Sequence, residues 1–228
     1  MQGSFPLPLG KINAGEKEYR QSIDYQKTVD KLKEHGVELP ETKLDSFLGS
    51  IETHMSWLRR NGDRFPWRYT TDPWKVFVAE VLLQQSTGDQ VGSMYIKFLK
   101  RYDSPYKMQK SSDEEVERHL KSIGLNKKKR ETLQRAADVF VTEYGGVPDS
   151  EEKLREIRGV GQYISRATIL FAHGRSKALS DTNIESFVET EFNIKVSQKQ
   201  TLSIMDELTP NDAGLARALY FWIIDKER

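Results

Sequence analysis

Apolar positions recur along this chain at helical spacing, and strict alternation of apolar and polar residues appears only in scraps. The pattern is helical over residues 16–35, and Gly36 with Pro40 closes it. A second helix is predicted over about 43–60, because Phe47, Ile51, Met55 and Leu58 fall at i, i+4, i+8 and i+11 on one face. Asn61, Gly62 and Pro66 form a loop. Asp72 then caps a third helix with Pro73 at its first position, and residues 74–85 are nearly all apolar. Further helices are predicted at about 90–101, 113–122 and 127–144, with Gly124 breaking the last two apart. A short helix at about 150–157, a turn over 158–161 and a helix over about 162–172 follow. The last three helices are predicted at about 182–191, 197–208 and 211–225. The first fifteen residues carry Pro6, Pro8, Gly3, Gly10 and Gly15, show little periodicity and read as a tail. The chain is all-α on this evidence.

Composition narrows the class. A length of 228 residues suits one large domain or two small lobes. With 37% hydrophobic and 30% charged residues, the chain reads as folded and globular rather than disordered. No apolar run approaches the roughly 18 residues that span a bilayer, so no membrane role is expected. The first six residues lack a basic region followed by an apolar stretch, and the expected address is cytoplasmic, with the nucleoid as its natural place. The sequence has no cysteine, which excludes disulfides, thiolate zinc sites and cysteine-held iron–sulfur clusters within it. Its four histidines, His35, His54, His119 and His173, lie far apart, so no metal and no cofactor is expected.

A net charge of only +1 does not announce a nucleic-acid binder. Local charge says more. Lys127, Lys128, Lys129 and Arg130 form a compact basic cluster, and Lys97, Lys100 and Arg101 a second. Either set suits phosphates, although taken alone such runs read first as solvated helix faces. The segment Leu154-Arg155-Glu156-Ile157-Arg158-Gly159-Val160-Gly161-Gln162-Tyr163 is more informative. Two apolar residues precede Gly-Val-Gly, and a new helix starts at once. Glycine permits backbone angles that other residues resist, and the following helix N-terminus offers free N–H groups to a phosphate. Gly159, Val160, Gly161 and Gln162 are therefore candidate contacts to a DNA backbone, gripped without reading its sequence. An ordinary helix corner that uses two glycines is the plainer alternative.

With this hairpin in view, the chain resembles the HhH-GPD superfamily, that of endonuclease III and the adenine-mismatch glycosylases. Four blocks match in order from about Phe65 onward. They are Pro66-Trp67-Arg68 with Asp72-Pro73-Trp74; Glu80-Val81-Leu82-Leu83-Gln84-Gln85-Ser86-Thr87; Ile123-Gly124-Leu125, Arg130 and Tyr144-Gly145-Gly146 with Pro148; and Ile157 to Tyr163 followed by Leu179-Ser180-Asp181-Thr182-Asn183. The resemblance implies a two-lobed, all-α glycosylase fold with a helix-hairpin-helix motif and no iron–sulfur loop. It implies an N-terminal extension over 1–45 and a glycosylase domain over 46–228. The lobes of that domain are expected at about 75–180 and at 46–74 plus 181–228.

The resemblance also implies a chemistry. Breaking a glycosidic bond builds positive charge on the sugar, and a nearby carboxylate stabilises it and positions water. Asp181 is the candidate, with Asn183 in support; the alternative is that Asp181 merely caps a helix in which Thr182 and Glu185 have capping-box spacing. Glu80 lies among apolar residues, which should raise its pKa and suit it to protonate or anchor the leaving base. A polar stripe shared with Gln84 is its alternative. Tyr163 stands where strand-cleaving relatives carry a lysine that forms a Schiff base. A tyrosine cannot form one, so base release without β-lyase cleavage is expected. Tyr163 would line the pocket for a flipped nucleotide, or serve as a core tyrosine. Gln84 or Gln85 would fill the hole that a flipped base leaves in the stack.

The sequence departs from many relatives at its end. It stops at Asp225-Lys226-Glu227-Arg228, where a cluster-binding loop would begin, so Leu219, Trp222 and Ile223 are expected to close the core by packing. No counterpart of the adenine enzymes' additional domain is visible, which argues against adenine opposite 8-oxoguanine. The tyrosine points to the thymine/uracil·guanine mismatch type: a monomer acting on double-stranded DNA that contains a mismatched or modified base. Two other readings stay open. One is a glycosylase for adenine mismatches or for a modified cytosine in restriction or phage defence. The other is a non-catalytic DNA-binding module.

Overall fold

The computed structural model describes residues 13–61, 65–124 and 126–226. Most of the expected tail, Gly62 of the expected loop and Leu125 of the third block lie outside the described residues. In chain order the helices are α1 (Glu16–Gln21), α2 (Tyr25–Glu34), α3 (Pro40–Asn61), α4 (Pro73–Leu83), α5 (Gly88–Arg101), α6 (Pro105–Gln109), α7 (Asp113–Leu120), α8 (Asn126–Val139), α9 (Glu151–Arg155), α10 (Gln162–Phe171), α11 (Thr182–Phe192), α12 (Gln198–Leu208) and α13 (Ala213–Lys226). Short 3₁₀ turns occupy Pro66–Tyr69 and Lys121–Ile123, and a π-helical turn over Phe140–Tyr144 ends α8. Among the described residues there is no strand, and no helix is long and apolar enough to cross a membrane.

Contacts divide the chain into two compact units. The first takes its described residues from Met1–Arg64 and Gly174–Arg228; the second is Phe65–His173. In the first unit, the single helix expected over 16–35 is two. The Ser22 hydroxyl and amide both donate to the Tyr19 carbonyl, and the Asp24 side chain caps α2 by accepting from the Lys27 amide. Local side-chain bonds of this kind compete with helix continuation. Pro40, expected to close a helix, instead begins α3, a position where its missing N–H is no loss. The closing turn lies earlier, where the Gly36 and Val37 amides bond back to Lys33 and Leu32, both at 3.0 Å.

Helix α3 is the spine of this unit. Phe47 packs edge-on against Tyr19 and Phe187, with ring centroids 5.7 and 6.0 Å away. The expected α3 face of Phe47, Ile51, Met55 and Leu58 is buried throughout, as are Leu219, Trp222 and Ile223 of α13. Helices α1 and α2 are tied into the same core: the Tyr19 hydroxyl donates to the Leu208 carbonyl at 2.9 Å, and the Asn211 amide to the Ser22 carbonyl at 2.7 Å.

In the second unit, α4 is central and buried nearly all round, from Trp74 to Leu82. It packs against α5, α8 and α10. The Asp72 side chain accepts from the Trp74 and Lys75 amides, so the cap and first-position proline form as the sequence predicts. Helix α6 escapes the hydrophobic pattern because it is a single turn, capped by Ser104.

His54 in α3 generates a pH prediction. Its ring stacks on Trp222 at 3.6 Å and pairs with the Ser50 hydroxyl at 2.7 Å. Burial, with the Lys226 ammonium as a second cause, holds His54 down at about 4. The folded state therefore resists protonation that the unfolded chain accepts near its ordinary 6.5. This stability is fully present above pH 6.5 and is lost as pH falls through 4. The loss amounts to up to about 3 kcal/mol. Urea unfolding across that range should show it, and His54→Phe, which keeps the stacked ring, should flatten the slope.

Candidate active site

The carboxylate at Glu80 lies inside the second unit. Its residue is only 5% exposed, so the exposed polar stripe is not observed. The neighbouring Tyr95 hydroxyl donates to the Lys75 carbonyl at 2.8 Å. Burial raises the Tyr95 pKa, and the charges of Glu80 and Asp72 raise it further, so Glu80 acts electrostatically on the inner side of α5.

Helix α4 stops at Leu83, two residues before the predicted end. Gln84 caps it, its backbone N–H donating to the Val81 carbonyl at 3.3 Å, and Gln85 takes a left-handed conformation with φ of 51°. Gln84 is half-buried and Gln85 exposed. The turn is then anchored: the Ser86 hydroxyl donates to the Ile123 carbonyl at 2.7 Å, and Thr87 starts α5 with a capping box completed by Gln90.

The two hairpin glycines have different tasks. Gly159 has φ of 102°, and a Cβ there would lie 2.2 Å from the Thr132 hydroxyl of α8. Its close approach is to the protein's own helix. Arg135, one turn further along α8, donates to the Arg158 carbonyl at 2.8 Å. Val160 faces inward: its side chain is buried and its amide donates to the Ile157 carbonyl at 2.9 Å. Gly161 is the exposed N-cap of α10, in extended conformation, with no side chain to cap the first-turn amides and open space around it. Gln162 is exposed, and Tyr163 is partly buried against the core of the unit.

The basic cluster divides, and half of it departs from the expected surface role. Lys127 and Lys128 are exposed. Lys129 has no accessible surface; its ammonium donates to the Ser86 hydroxyl and, at 3.2 Å, to the Ile123 carbonyl, and burial pushes it down to about 8. Arg130 is held by Asp113 at 2.7 Å, Glu117 at 3.0 Å and Glu131 at 3.6 Å. In the second cluster Lys97 and Lys100 are exposed, while Arg101 donates to Glu115 at 2.7 Å.

In the first unit, Asp181 is the N-cap of α11, and its side chain accepts from the Ile184 amide at 2.9 Å. The cap is Asp181 rather than Thr182, which is exposed; Asn183 is half-buried. The strand of chain leading to it is firmly held. The Leu179 amide donates to the Tyr220 hydroxyl at 2.9 Å, and the Ser180 hydroxyl to the Gln198 carbonyl at 3.1 Å. A carboxylate so placed is oriented by its own helix, whose N-terminus stabilises negative charge. Among the described residues, no group of three histidine, aspartate or glutamate side chains is placed to hold a metal.

Comparison with known proteins places the chain. Residues 78–224 match the model of the HhH-GPD superfamily base excision DNA repair protein. The chain belongs to this superfamily. It is 32% identical over 182 residues to the thymine-DNA glycosylase of Aeropyrum pernix, covering 76% of this chain and 82% of that one. It is 30% identical to the thymine/uracil-DNA glycosylase of Pyrobaculum aerophilum, covering 76% and 79%. A solved thermostable thymine-DNA glycosylase superposes with a TM-score of 0.72 at 26% identity, covering 83% of this chain and 88% of that one.

Within this HhH-GPD protein, Ser86, Thr132 and Arg135, which hold the turns and the hairpin, and Tyr220, which holds the chain before Asp181, are not among the site residues the sequence suggests. One signal was available. Lys129 precedes Leu133 by four residues and Ala136 by seven, which puts it on the apolar face of α8.

The glycine geometry predicts a contrast in stability. Gly159→Ala should lower stability by about 1–3 kcal/mol, from strained backbone and the clash with Thr132. Gly161→Ala, at φ of −87° with open space, should change it by no more than about 0.5 kcal/mol. Urea midpoints of the two variants test this.

Proposed function

We propose that this DNA glycosylase of base excision repair removes thymine or uracil opposite guanine and leaves the DNA strand uncut. The likeness to proteins named thymine- and thymine/uracil-DNA glycosylase, over 76% of the chain, carries this reading. Tyr163 supports the absence of lyase action, since its phenol cannot form the imine that strand cleavage needs.

The proposed roles follow the chemistry. Water adds to C1′ of the flipped nucleotide and gives up one proton as the bond from C1′ to the base nitrogen breaks. The base leaves with the bonding electrons and takes up a proton. Asp181 stabilises positive charge on the sugar and orients the water, with Asn183 two residues on in support. Glu80 supplies or steadies the proton that the leaving base needs. Tyr163 forms part of the wall against which the flipped base rests. Gly161 and Gln162 present first-turn amides of α10 to a phosphate, and the exposed Lys127 and Lys128 add charge. Of the two glutamines, exposed Gln85 is the better placed to enter the stack.

Duplexes carrying T·G, U·G, A·G, adenine opposite 8-oxoguanine, or modified cytosines provide the test. Base loss from T·G and U·G, with strand breaks only after alkali, is the expected result. Breaks before alkali would sink the monofunctional reading, and preference for another duplex would sink the choice of base. Asp181→Asn is the sharpest variant, because asparagine caps a helix about as well as aspartate. It should fold and bind normally while excision slows by about a hundredfold or more. Wild-type activity in that variant would remove Asp181 from the mechanism.

A further inference from the structure

We infer that Lys129 is a positioning residue that locks the Gln84-Gln85 turn to the Lys121–Ile123 turn, so that the duplex meets both turns already in register. The inference rests on the proposed action upon a flipped base. Its structural part stands on geometry alone.

The ammonium of Lys129 sits at one corner of a triangle. It donates to the Ser86 hydroxyl and to the Ile123 carbonyl, and the Ser86 hydroxyl donates to that same carbonyl at 2.7 Å. Ser86 immediately follows Gln85, whose φ of 51° is an uncommon backbone conformation for a residue with a side chain. Ile123 immediately precedes Gly124, which has φ of 67°. Both bent segments are thus pinned at the adjoining residue by one cation reaching out from α8.

Burying that cation is unfavourable. Both acceptors are neutral oxygens, and desolvation has lowered its pKa, so the charge is not there for attraction to a carboxylate. A methionine of similar length would fill the space without this penalty. What the ammonium adds is direction: several N–H donors on one atom hold two separate turns at a set distance. A side chain with no accessible surface does not touch DNA, which separates Lys129 from its exposed neighbours Lys127 and Lys128.

Lys129→Met, Lys129→Arg and Ser86→Ala are the informative variants. Each is measured by amide hydrogen exchange without DNA, by affinity for a T·G duplex, and by single-turnover excision. In Lys129→Met, exchange should quicken in segments 84–87 and 121–124 while the hairpin over 158–163 stays protected. Excision should slow by about ten- to a hundredfold, the effect of a small misplacement remote from the bond that breaks, with duplex affinity little changed. Lys129→Arg should restore part of the rate, and Ser86→Ala should move it in the same direction as methionine. If Lys129→Met does not fold, Ser86→Ala decides alone. Unchanged exchange in both turns overturns the inference, as does a loss of affinity without loss of rate, which marks a phosphate contact instead. Should the wild type release no base from any duplex, the proposed function fails, while the exchange measurement still decides whether Lys129 locks the turns.

Discussion

Lys129, Thr132 and Arg135 follow one another at three-residue spacing along α8, and each meets bent chain. Lys129 bonds to the residues behind Gln85 and before Gly124, Thr132 fills the space that Gly159 leaves, and Arg135 holds the Arg158 carbonyl. These segments have little regular structure of their own. Their conformations include positive φ at Gln85, which a residue with a side chain seldom adopts, and at Gly124 and Gly159, where glycine permits it. One helix, itself packed on α4, supplies the constraint that all of them need. The sequence features that resemble a DNA-binding apparatus thus depend on side chains of α8.

That dependence explains what was legible beforehand. Helix α4 was readable because its signals are local: a carboxylate cap, a proline at the first position and an uninterrupted apolar run. The α3 face was readable by its spacing. The break between α1 and α2 was not, because no glycine or proline marks it. It is set by Asp24 capping α2 and by the Asn211 amide, distant in sequence, bonding to the Ser22 carbonyl. Four consecutive cations looked alike in a charge count, yet helical phase turns Lys129 inward and delivers Arg130 to three carboxylates. Charge runs on helices are read better by phase than by number.

In the proposed function Asp181 combines a structural with a chemical role. As the cap of α11 it accepts the Ile184 amide, and the preceding chain is fixed by Tyr220 and Gln198. A carboxylate meant to steady charge on a sugar must be held still, and a helix cap does so with few groups. The two readings that the sequence left as alternatives are therefore compatible. Gly159 and Gly161 divide in the opposite way: the first serves the fold, and the second, an open N-cap, is free of that duty.

On the proposed function, α8 presents the turn at Gln85, the turn at Gly124 and the hairpin at Gly161 to DNA as one preset surface. Amide hydrogen exchange of the wild-type protein, with and without a T·G duplex, tests it most directly. Segments 84–86, 124–126 and 161–163 should gain protection together at the same duplex concentration. Protection confined to 161–163, with the other two segments exchanging as in the free protein, would contradict it.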